Sequence, residues 1–137
     1  MSEPLRIKSA RDALTLDLGP PERGTREGWF PVALSGGALN AIFRAYDNRL
    51  DGIAKFFESM AAETNGWTGN KSWGSLEAHL SMNATTDRLG HVYLQVILRD
   101  CDDPAEWRVE ATVLLEFGQL ESVAKAARRV FGASASV

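Results

Sequence analysis

A chain of 137 residues, 45% hydrophobic and 24% charged, suits one core of ordinary size and excludes a disordered chain. Its 15 basic and 18 acidic residues leave a net charge of −3, and no Lys/Arg run exceeds Arg128-Arg129, which argues against nucleic-acid and anionic-membrane partners. One cysteine, Cys101, excludes an internal disulfide and suits a reducing cytoplasm, and no stretch reaches the ~18 apolar residues of a membrane span.

The opening MSEPLRIKSARD has no apolar run of the kind a secretory signal needs, and LRIKS within it reads as an edge strand. DALTLDLG follows as a strand, PPERGTRE as a loop and GWFPVALS as a second strand. Gly36-Gly37 forms a hairpin turn, because both residues tolerate positive φ. ALNAIFRAY is the third strand, although its apolar spacing also permits a helix starting near Leu39. RLDGIAKFFESMAAE carries Leu50, Ile53, Ala54 and Phe57 on one helical stripe, with Asp47 or Asn48 as N-cap.

The stretch NGWTGNKSWGS then leads into SLEAHLSMN, where Leu76, Ala78, Leu80 and Met82 alternate with Glu77, His79, Ser81 and Asn83. After the turn TTDRLG, HVYLQVIL alternates again, and beyond RDCDDPAE so does WRVEATVLLEF, with Trp107, Val109, Ala111, Val113 and Leu115 inward. QLESVAKAARRVF is the closing helix, and GASASV, residues 132–137, is expected to fray. NRLDGIAK and GQLESVAK, seventy positions apart, share Leu, Ala and Lys at matching places, which suggests an internal repeat over about 11–63 and 74–131. The fold class expected is α+β: two β-β-β-α units forming a six- or seven-stranded, mainly antiparallel sheet with two helices on one face.

Gly66-Trp67, Gly69, Trp73, Ser75-Leu76, Gly90-His91-Val92, Trp107 and Gly118-Gln119-Leu120 together resemble the pattern of an uncharacterised family of short bacterial single-domain proteins. The resemblance runs from about Trp29 onward and leaves the extreme N-terminus outside. It implies an architecture and no catalytic residue.

Two surfaces are candidates for binding. In the loop, Trp67 and Trp73 around Lys71 would make an aromatic hot spot. Alternatively, Trp67 closes the first helix and Trp73 covers the sheet end beside Trp107. On the polar sheet face, successive hairpins would set His79, Gln95 and Glu110 in a row, with Tyr93 and Arg108 nearby.

Other chemistries fail on spacing. GNKS lacks the glycine spacing of a phosphate loop and follows a helix instead of opening one. His79 and His91 are too far apart to share a metal ion, and Asp102 and Asp103 oppose thiolate formation at Cys101. No catalytic residue, metal or cofactor is therefore expected. The leading expectation is a non-enzymatic, cytoplasmic protein-interaction module, an adaptor like an immunity protein or a chaperone. Its partner would be a protein or a second copy, neither nucleic acid nor membrane. The alternative is a small-ligand-binding or enzymatic domain with a pocket between helices and sheet, lined by Trp29, Trp67, Trp73 and Trp107.

Overall fold

The computed structural model describes residues 3–22, 27–100 and 107–132. Cys101, Asp102, Asp103, part of the PPERGTRE loop and the 133–137 tail lie outside them. Four strands come first: β1 (Leu5–Lys8), β2 (Thr15–Leu18), β3 (Gly28–Gly36) and β4 (Leu39–Asp47), followed by helix α1 (Asp51–Ala61). The order then recurs as β5 (Lys71–Gly74), β6 (Leu80–Thr86), β7 (His91–Asp100), β8 (Trp107–Glu116) and α2 (Phe117–Phe131).

The strands form two antiparallel meanders, β1-β2-β3-β4 and β5-β6-β7-β8, so the expected single sheet of six or seven strands is replaced by two sheets of four. Alternation identifies strands and faces but says nothing of where a ladder ends, which is why a break between sheets left no trace in the sequence. The α+β class and the antiparallel pairing hold. The inward side chains of both sheets and the apolar stripes of both helices belong to one buried core. The sheets meet where the Ala10 amide donates to the Leu114 carbonyl at 2.7 Å and the Leu114 amide donates to Ser9 Oγ at 3.3 Å.

Local chemistry explains most boundaries. Gly36 and Gly37 turn the β3–β4 hairpin at φ +152° and +58°, and a Cβ on Gly36 would lie 2.7 Å from the Ala13 carbonyl oxygen. Residues 39–47 are strand, which removes the helical option from Leu39. The Asp47 carboxylate accepts the Arg49 amide at 3.1 Å and so braces the chain ahead of α1, whose N-cap position is Leu50. α2 is opened by Gln119, which accepts the Glu116 amide at 2.9 Å and also donates to the Lys8 carbonyl at 3.3 Å.

One predicted strand is shorter than expected. SLEAHLSMN does not run through, because Ser75, Ala78 and Leu80 close a turn. The Ser75 amide donates to the Leu80 carbonyl and the Ala78 amide to the Ser75 carbonyl, each at 2.9 Å, Ser75 Oγ accepts the Leu80 amide, and Ala78 sits at φ +60°. Leu76 is exposed in consequence, against expectation, and its apparent alternation with Leu80 is coincidental.

The helices pack on each other, with α2 resting on β1 and β8 and α1 on β5. Glu58 of α1 accepts two hydrogen bonds from Arg128 of α2, at 2.8 Å from Nε and 2.6 Å from Nη2. At the far end of α2, the Phe131 ring meets Phe30 of β3 edge-on at 5.3 Å.

Candidate docking surface

The outward side of β3 and β4 carries the apolar groups that the core did not take. Inward positions Phe30, Val32 and Leu34 are fully buried, so the alternate residues Trp29, Pro31 and Ala33 face out. Across the ladder they oppose Tyr46, Arg44 and Ile42. Ile42 is 70% exposed and Trp29 40%, well above what a solvated sheet face needs. The Trp29 and Tyr46 rings meet edge to face at 5.5 Å. Burial, reinforced by the Glu27 carboxylate, pushes the Tyr46 hydroxyl above its ordinary range.

Arg44 is held in place twice. Its guanidinium lies 4.7 Å from the Trp29 ring centroid, and Nε and Nη2 each donate to the Glu22 carboxylate at 2.9 Å. Beyond the β4 edge, Phe43 turns to the second sheet and meets His79 and Trp107, each at 5.2 Å. Trp29, Pro31, Ile42, Phe43, Arg44 and His79 thus line an open groove of about 460 Å³. Trp107, expected inward, is instead 38% exposed, because it opens β8 at the end of the sheet, and there it meets Phe43 at the groove's rim.

The residues singled out from sequence are distributed differently. The Trp67 Nε1 donates to the Ala84 carbonyl at 3.1 Å, and its backbone exchanges bonds with Thr86 Oγ1. Its indole is therefore stapled to β6. Lys71 lies 5.2 Å over that ring and pairs with Glu63. Trp73, on β5, packs against the core beneath the first turn of α1, where a Cβ on Gly52 would stand 3.0 Å from its Nε1. It does not sit beside Trp107, since β5 and β8 are opposite edges of one sheet. Among the described residues, Trp29 borders the groove above, while Trp73 borders another on the second sheet.

The expected polar row also changes. His79 is buried at 4% exposure, against the expectation of an outward position, because the Ser75–Leu80 turn carries it under Phe43. Gln95 pairs in register with Asn83 and Thr112, so His79, Gln95 and Glu110 do not align. Gln95 and Glu110 still meet diagonally at 3.2 Å, and Arg108 Nε donates to Glu110 at 2.7 Å. That face satisfies its own charges.

One cluster escaped the sequence entirely. Asp87 accepts the Leu89 and His91 amides, the Tyr93 hydroxyl at 2.9 Å and the His91 ring at 2.9 Å. Partial desolvation pushes its carboxyl up, but these hydrogen bonds outweigh it and hold the group well below the usual carboxylate range. The cluster ties the β6–β7 hairpin, with Asp87 four positions before His91 as its only sequence signal. Ile42 and Arg44 were also missed. Their signal was an indole and a proline, Trp29 and Pro31, on the wrong face of a half-buried strand.

Among the described residues, no group of three His, Cys, Asp or Glu side chains could hold a metal ion, and no helix is long and apolar enough to cross a membrane. A model of a family of unknown function (DUF6228) matches residues 8–134. It begins well before Trp29 and takes in β2 and β3, while residues 1–7, with most of β1, lie outside it as the resemblance implied. No curated protein and no solved structure matches the chain.

Proposed function

The chain belongs to this family of unknown function, and we propose that it is a non-enzymatic protein-docking module that works in the cytoplasm through the outer side of β3 and β4. One observation carries the proposal: Trp29 and Ile42 are exposed in one groove, whose half-buried Phe43 meets the exposed Trp107. Large apolar groups left in water at a single place mark an interaction site, and tryptophan contributes most to such contacts. The self-contained pairing of Gln95, Arg108 and Glu110 supports the choice of this surface over the second sheet.

An internal duplication belongs to the same proposal. Two successive β-β-β-β-α units support it, as do Glu58 and Arg128, which stand seventy positions apart like the matched helix starts and bond to each other.

A photocrosslinking residue at position 42, introduced in the native host, tests the docking surface. A discrete crosslinked species is expected from position 42 and none from Gln95, whose face is internally paired. Trp29→Ser, combined with the crosslinking residue at position 42, should abolish that species while the chain keeps a cooperative thermal transition. Crosslinking from both positions alike, or from neither, would refute the surface.

A further inference from the structure

Among the described residues the two sheets have four edges, and three are guarded. The outer edges of β1 and β8 meet each other through Ala10 and Leu114. β5 is four residues long, begins with a lysine and has α1 against it. β4 is different. It is nine residues long, and among the described residues no backbone–backbone hydrogen bond reaches it except from β3, although the Leu76 amide donates to the Asp47 carboxylate at its end. Natural edges are usually blocked by lysine, proline or a bulge, whereas the middle of this one carries Ile42.

The groove beside that edge is also electrically one-sided. Of its lining side chains only Arg44 carries a fixed charge, and no carboxylate is among them. Glu22 uses Nε and Nη2 of that guanidinium, while Nη1 pairs with no acceptor among the described residues. The cation is thus pre-oriented with one donor edge unused, which suits a carboxylate.

We infer that β4 takes up an extended segment of a partner protein as an added antiparallel or parallel strand, and that this segment carries Asp or Glu opposite Arg44. Side chains on one face of a strand recur every second residue, so the neighbouring outward positions fall opposite Ile42 and Tyr46. The recognised pattern is therefore apolar-x-acid-x-apolar, with main-chain bonds providing affinity and Arg44 the selection for acid. This rests on the docking reading above and adds the chemistry of the occupant.

The probe is the acetylated and amidated heptapeptide Thr-Val-Thr-Glu-Thr-Val-Thr, compared with the same peptide carrying Gln or Lys in place of Glu. Binding is followed by amide and indole shifts of the isotope-labelled full chain. Shifts confined to β4 and the Trp29 indole are expected, with the Glu peptide about fivefold tighter than the Lys peptide, the ratio for one exposed charge pair. The preference should vanish in Arg44→Gln, an exposed substitution whose spectrum otherwise stays native.

Equal affinity for all three peptides would overturn the acidic partner and leave the docking surface standing, provided position 42 still crosslinks. Crosslinking at position 42 without any peptide shift at β4 would overturn the added strand. Concentration-dependent shifts of β4 in the protein alone would assign the edge to a second copy and overturn the proposal.

Discussion

Asp47 sits almost wholly inside the protein, yet it serves backbone rather than a cation. Burial pushes its carboxyl up, and the amides of Arg49, Leu76 and Asn48 pull it partly back. The folded state therefore holds a proton on this side chain at pH values where the unfolded chain has released it. Stability from that difference is present near pH ~4 and lost as pH rises through the raised folded value. Asn keeps an acceptor oxygen and carries no charge to desolvate. Asp47→Asn should thus gain in melting temperature relative to the wild type as pH is raised from about 4 to 7. A shrinking difference would show that the ionised form is the stabilised one, and a constant one that folding leaves this carboxyl unshifted. From sequence, Asp47 was visible as a helix-start residue, but its burial was not, because that depends on the Ser75–Leu80 turn arriving beside it. Trp67 makes the same point: its spacing marked it as unusual, and only the Ala84 carbonyl makes it structural.

Among elements, those with long apolar repeats were legible. β3, β7, β8 and both helices follow alternation or helical spacing, whereas β4, with an inner face only partly buried, left strand and helix both open. β5 was missed inside the tryptophan loop, since four residues containing Ser and Gly give no period to count. Its pairing with β6 became visible only through the register that sets Trp73 opposite Met82. The helix pair offers a direct test. The bidentate hydrogen bond from Arg128 holds the Glu58 carboxyl below its ordinary range despite some desolvation, and Glu58 in turn raises Arg128. Both side chains are about two-fifths exposed, so solvent screening limits the pair. A double-mutant cycle with Glu58→Gln and Arg128→Gln should return a coupling of about 0.5 to 1 kcal/mol at neutral pH and low salt. That coupling is present above the ordinary glutamate value and fades as pH falls through the depressed folded one. Coupling that is absent at low salt would show that the geometry is held by packing alone.

In the whole molecule, two sheets share one core, so neither four-stranded unit is an independent domain. Phe131 shows the dependence: it comes from the second unit and is buried against Phe30 of the first. Phe131→Ala should cost about 3 to 5 kcal/mol, and Trp29 in the first sheet and Trp73 in the second should still report one urea transition. Separate transitions in single-tryptophan variants would mean that the units unfold apart. The candidate groove was illegible for the same reason that the core is single. Trp29 and Ile42 come from the first sheet, His79 from the turn before β6 and Trp107 from β8, and no spacing within the chain announces that they gather around Phe43.

The seat of Phe131 has a consequence for synthesis. A Cβ on Gly19, in the first unit, would approach its ring to 2.9 Å and Val130 to 3.0 Å, so the last turn of α2 is moulded onto the strands translated earliest. Most chains complete an N-terminal unit while the ribosome is still elongating the rest. Here the first sheet keeps an apolar face uncovered until residue 131 has left the exit tunnel. Closure of the first sheet is thus deferred until the second unit supplies Phe131.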